Sequence, residues 1–178
     1  MTEAVLTPAK KPTAIAGVSA STETTVMEVF PSIACTSIGQ GMGSVFESVP
    51  VRIFGIKLSH LLFVLPLSPV AALVYLLLKV SGERYVLTNR SLQTWSGLGT
   101  RRISQVPLED IEDITVTQEP GQVFYRAGDI YLIGKTGQTL AKLGGIPYAP
   151  IFRQTILEAR DARRQVVASL DTIRKRPA

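Results

Sequence analysis

The side chains in this sequence whose types and placing could do chemistry are one histidine, one cysteine, an acidic cluster and a set of arginines near strand ends. His60 would need a nucleophile and an acid beside it for acyl transfer, and it stands at the edge of an apolar run, where that set would have to assemble at a bilayer surface. Cys35 and His60 together fall short of the four ligands a zinc centre uses. Gly39, Gly41 and Gly43 lack the preceding strand and the following Lys-Ser/Thr of a phosphate loop. Glu109, Asp110, Glu112 and Asp113 do not follow calcium-loop spacing and read as a solvated turn and strand face. The expectation is a non-enzyme with no catalytic residues, no cofactor and no metal.

Arg90, Arg101, Arg102 and Arg126 lie at or near predicted strand ends. Turns on one rim of a barrel can gather such residues around an anion, the alternative being scattered surface arginines. With Arg174, Lys175 and Arg176 they form the candidate lipid-binding set. Trp95 reads as an ordinary packing or surface aromatic. Val123-Phe124-Tyr125 reads as an inward strand pair, the rival being a tip that dips into lipid.

The formal charge of +5 is unevenly placed. Residues 1–57 sum to zero, residues 81–149 hold seven basic and seven acidic groups, and residues 150–178 hold seven basic and three acidic ones. The excess therefore belongs to the C-terminal segment and points to an acidic lipid or partner. Nucleic acid is not an expected partner, because the β-rich part is neutral and the basic segment lacks interleaved aromatics.

The elements that must position these groups follow from periodicity. Residues 1–26 show no helix or strand period and are expected as a disordered tail. Residues 27–57 are expected as a linker or interfacial helix, with Ile38, Met42, Val45 and Val49 as its apolar stripe. Leu61 to Leu78 contains 18 residues without a formal charge, the lower limit for a spanning helix. The segment 58–80 has three readings: a kinked span, a re-entrant hairpin turning at Pro66-Leu67-Ser68-Pro69, or a buried soluble helix. From Glu83 the pattern changes to strands: Glu83 to Thr88, Ser91 to Ser96, Thr100 to Val106, Ile111 to Gln118, Asp129 to Ile133 and Gln138 to Leu143, with a further candidate through Val123 to Tyr125. Leu87, Leu92, Ile114, Val116, Ile130 and Leu132 are the predicted core. After Pro147 and Pro150 a long helix runs to about Arg174 with an apolar stripe. Val166, Leu170 and Ile173 lie on its distal part and are candidate partner-binding residues.

The run Tyr85-Val86-Leu87-Thr88-Asn89-Arg90-Ser91-Leu92, directly after an apolar segment, resembles the second type of bacterial pleckstrin-homology (PH) domain, the membrane-flanking family. Ser96-Gly97-Leu98, Arg101-Arg102, Val106-Pro107-Leu108 and Gly128-Asp129-Ile130 extend the resemblance over Glu83 to Leu157. Ser91 stands where that pattern has a second Arg. The resemblance implies a mainly β fold, a PH-like bent barrel or sandwich with a C-terminal capping helix, preceded here by a membrane-embedded helical segment. Residues 81–178 would form that domain. The functional expectation is a membrane-anchored binding or scaffolding module at the inner membrane, its domain cytoplasmic, contacting a protein partner. The alternative is binding of an anionic phospholipid headgroup. Membrane lipid, a membrane or cytoplasmic protein and a second copy are the partners in view. Cys35, the only cysteine, permits no intrachain disulfide and suits a reducing compartment.

Overall fold

The computed structural model describes residues 22–49, 52–53 and 56–175. Most of the expected disordered tail, and Arg176, lie outside the described residues. In chain order the elements are β1 (Thr25–Val29), α1 (Ser37–Glu47), the two-residue strands β2 (Arg52–Ile53) and β3 (Ile56–Lys57), and α2 (Leu65–Ser81), entered through a π-helical turn at His60–Val64. Then come β4 (Glu83–Thr88), β5 (Ser91–Ser96), β6 (Arg102–Pro107), β7 (Ile111–Thr117), the short α3 (Pro120–Val123), β8 (Ala127–Gly134), β9 (Thr139–Pro147) and α4 (Ala149–Arg174).

Two antiparallel sheets hold seven of these strands, one ordered β1-β4-β5-β6 and the other β7-β8-β9. Leu87, Leu92 and Val106 from the first meet Ile111, Ile114, Ile130, Leu132 and Leu143 from the second in one core. Phe152, Ile156 and Ala159 of α4 close it. Each of the large ones contributes about 1.5–3 kcal/mol by leaving water. Five of the six predicted core residues are buried, while Val116 is partly buried against the cluster. Pro107 ends β6 as expected, since it has no N–H to donate.

Three expectations are corrected. The stretch read as tail and linker contains β1, whose residues Met27, Glu28 and Val29 pair with Leu87, Val86 and Tyr85, so the sandwich does not begin at residue 81. Its partner strand lies far along the chain, which local patterning does not register. Residues 123–125 are not a strand: Pro120 opens a helix there, with a capping box between Glu119 and Gln122. Of the three readings of 58–80, the hairpin turning at Pro66 to Pro69 is overturned, because the helix runs on through both prolines. Pro66 follows directly on the π-helical turn, at the second residue of α2. Pro69 cannot serve the Leu65 carbonyl, but Ser68 Oγ donates to it at 2.9 Å.

The helix α1 exists, but its inward face is Gly39, Met42, Gly43 and Phe46, whereas Ile38 and Val45 are exposed. Gly39 and Gly43 both pack closely, Gly39 against the Ile33 carbonyl. A Cβ on Gly43 would lie 2.0 Å from the Gly121 carbonyl of α3. Phe46 and Phe124 follow at 4.6 Å between ring centroids, locking α1 to α3.

Gly43→Ala is therefore expected to lower stability by roughly 1–3 kcal/mol through overpacking, despite the gain of about 1 kcal/mol in helix propensity. Gly41, with nothing within 4 Å of an added Cβ, is the control. Thermal unfolding of the full chain in mild detergent should separate the two, Gly41→Ala melting no lower than the parent.

Candidate membrane and partner interface

The β4–β5 turn holds the four residues Thr88-Asn89-Arg90-Ser91. The Asn89 side chain acts as a piece of backbone: its Oδ1 accepts from Thr24 N at 3.0 Å and its Nδ2 donates to the Thr22 carbonyl at 3.0 Å. Asn89 N donates to the Thr24 carbonyl at 3.1 Å. Glu23, thereby brought over the turn, accepts at Oε1 from Thr88 Oγ1 (2.7 Å), Ser91 Oγ (2.8 Å) and Gln93 Nε2 (2.9 Å). Burial opposes its ionisation, but those three hydrogen bonds and the Arg90 charge outweigh it and hold the carboxyl below its ordinary value. Ser91, in place of a second Arg, makes one of these bonds, so the anion gathered by this turn is the chain's own carboxylate. Arg84 adds a surface link, 2.7 Å from Glu28 of β1 and 5.8 Å above the Trp95 ring.

The candidate arginines are not brought to one rim. Arg90 precedes β5, whereas Arg101 and Arg102 follow the turn at its other end, with Trp95 opposite Arg102. The intervening six residues span about 17–20 Å. Arg126 is exposed, sits after α3 with φ 50°, and accepts Tyr148 N at its carbonyl. Lys175 is exposed just past α4, and the Arg174 side chain, like Arg176, lies outside the described residues.

The Gly128-Asp129-Ile130 motif is also internal. Buried Asp129 accepts at Oδ1 from Gln122 Nε2 (2.7 Å) and Gly145 N (2.9 Å), and its Oδ2 meets Lys142 Nζ at 2.8 Å. Burial raises its pKa, yet the Lys142, Gly145 and Gln122 bonds leave it lowered overall.

The basic C-terminal helix turns most of its charge inward. Arg153 Nε donates to the Ile114 carbonyl at 2.7 Å, and Arg160 Nη1 to the Glu112 carbonyl at 2.6 Å. Arg163 pairs with Glu109 at 2.9 Å and Arg164 with Glu112 at 3.1 Å. Glu109 and Glu112 of the acidic cluster thus dock α4, while Asp113 accepts from the Ile114 N–H beside it. Beyond Arg164 the helix carries Val166 and Leu170, both partly covered; the Ile173 side chain lies outside the described residues.

Leu62–Ser81 is long and apolar enough to cross a membrane, with mean hydropathy 2.0, and none of it is buried. Between its C-terminal end and the first sheet lies a pocket of about 270 Å³ lined by Phe30, Pro31, Cys35, Tyr75, Leu78 and Tyr85, with Lys79 and Glu83. Burial, then the Glu83 charge, push the Tyr85 phenol up. His60 is at the other end of the helix, its ring 5.2 Å from that of Phe124, so the structure does not bring His60 and Cys35 together. Among the described residues no three His, Cys, Asp or Glu side chains group as metal ligands.

Seven antiparallel strands in two sheets, closed by a C-terminal helix, define a PH-like sandwich. The bacterial PH domain family model matches residues 40–160, and the chain belongs to that family. No curated protein matches it. The match begins within α1 and ends within α4, so β1, Glu23 and the distal turns of α4 lie beyond it. Sequence reasoning missed Glu23. The available signal was a run of hydroxyl and amide side chains at Thr88, Ser91 and Gln93 that needs an acceptor.

Because the folded-state pKa of Glu23 is depressed, its contribution to β1 docking is present above the unfolded value of about 4.3 and is lost as pH falls through the lower folded value. The protection of the Met27 to Val29 amides, measured as exchange relative to the intrinsic rate at each pH, should fall on acidification in the parent. Glu23→Gln should exchange faster at neutral pH and respond less to acid.

Proposed function

We propose that this PH-family chain is a non-catalytic binding module, held on the cytoplasmic face of the inner membrane by α2 and contacting a protein partner through the distal part of α4. The observation that carries the reading is the apolar helix Leu62–Ser81, none of it buried although it joins two parts of one sandwich. Water does not tolerate so large a contiguous apolar surface on a monomer. PH-like domains are in general binding modules and not catalysts, which supports this reading. A single cysteine that forms no disulfide fits a reducing compartment.

The protein partner is favoured over a headgroup pocket by where the arginines point. Four of the seven basic residues after Pro150 serve β7 and the turn before it. Arg90 is separated from Arg101 and Arg102 by the length of β5. Of the same seven, Lys175 is exposed past α4, and near an acidic leaflet it and its neighbours Arg174 and Arg176 would contribute about 1 kcal/mol each, enough to orient a tethered domain. Tethering raises the local concentration of any weak partner, so the short face of Val166, Leu170 and Ile173 suffices for contact.

Leu73→Lys with Leu77→Lys, both at exposed positions, is expected to move the protein from the carbonate-washed membrane pellet to the supernatant. Retention in the pellet would mean that α2 is not the anchor.

Val166→Ser with Leu170→Ser should abolish in-membrane crosslinking to the partner and leave pelleting unchanged. If the crosslink persists, and only neutralising Arg174, Lys175 and Arg176 weakens binding to anionic vesicles, the lipid reading replaces this one.

A further inference from the structure

Both flanks of the apolar helix belong to one folded body. Upstream, β1 pairs with β4, and α1 packs on α3. Downstream, β4 begins at Glu83, with only Gly82 between it and α2. The helix is held at its start, where buried Ser59 Oγ donates to the Phe46 carbonyl at 2.6 Å. It is held at its end, where Lys79 Nζ lies 5.8 Å from the Phe30 ring and Gly97 N donates to the Gly82 carbonyl at 2.7 Å. In between, Ala71 and Ala72 share a groove with Ile33, Tyr125 and Pro147. A helix from His60 to Ser81, about 33 Å at 1.5 Å per residue, that is tied to the domain at its start and its end, with a shared groove between, lies along it. Crossing a hydrocarbon core of about 30 Å would put its flanks on opposite sides and tear β1 from β4.

The burial pattern agrees. Phe63, Val64, Leu67, Ala71, Val74 and Leu78 are partly covered and recur on one helical face. Leu62, Leu65, Val70, Leu73, Leu76 and Leu77 are exposed, Leu65 at 79 %. At 100° per residue these exposed positions fill an arc of about 140° opposite the first. We propose that α2 is a monotopic anchor, lying in the plane of one leaflet with this arc among the acyl chains and the sandwich on the water side. The proposal rests on the membrane reading above and fixes its topology.

Lipid is the occupant the surface fits. In-plane helices carry an apolar face and a polar one, and here the sandwich takes the place of the polar face. A second copy paired helix to helix would need only a narrow seam, whereas the exposed arc is broad. Lys79 at the helix end can place its ammonium at the headgroups while its stem stays in the apolar layer.

The test is sidedness. In a Cys35→Ala background, Thr22→Cys and Ser169→Cys place single thiols on the two flanks, both at exposed positions, and Leu73→Cys places one on the arc. Sealed native membrane vesicles of right-side-out and inverted orientation are treated with an impermeant maleimide. The monotopic helix predicts that both flank thiols label in the same orientation, that neither labels in the other, and that Leu73→Cys is protected in both. Labelling of the two flanks in opposite orientations would show a span and overturn the proposal while leaving membrane attachment intact. A chain that stays soluble without lipid, with Leu73→Cys crosslinking to itself, would show a second copy on the arc and overturn both readings.

Discussion

The pairing of β1 with β4 is the constraint on which the remaining architecture depends. It joins Thr25–Val29 to Glu83–Thr88, closing a loop that contains α1, the β2–β3 hairpin and the whole apolar helix. Closure entropy rises only slowly with loop length, so a short ladder reinforced by Glu23 and Asn89 can hold so long an excursion. Once it is held, α2 must leave the sandwich and return to it on the same side. The close contact of Gly43 with Gly121 and the ring contacts of Phe124 then lay the excursion down against α3.

A second consequence concerns charge. The basic excess of the C-terminal segment suggested an outward-facing attraction, yet Arg153, Arg160, Arg163 and Arg164 reach carbonyls and carboxylates of β7 and the turn before it. Exposed ion pairs contribute about 0–1 kcal/mol each, far less than the burial of Phe152 and Ile156. Their effect is to fix where α4 lies on the sheet. That placing leaves the turns beyond Arg164 past the last of these four arginine contacts, and there the family match has also ended.

The strands from Glu83 to Pro147 and the capping helix were legible in the sequence because each is short, alternates and is closed by Gly, Pro or Asn. The unread parts are those that depend on distant partners. Thr25–Val29 becomes a strand only because β4 offers it an edge. Gly39 and Gly43 carried no packing signal until the backbones they accommodate, at Ile33 and Gly121, were in place. Pro66 and Pro69 left a kinked helix and a turn both open, since each lacks a donor, whereas Ser68 serves the carbonyl that Pro69 leaves open. The candidate arginines were chosen for lying near strand ends, and proximity to an end does not say which end.

Depth along α2 tests the central claim most directly. Spin labels placed one at a time from Leu73 to Val80 in bilayers report immersion through the contrast between oxygen and a water-soluble relaxant. A helix in the plane of one leaflet predicts a depth that rises and falls with the helical period of about 3.6 residues and never passes the midplane of the roughly 30 Å core. A depth that changes steadily along the series and crosses that midplane would contradict it.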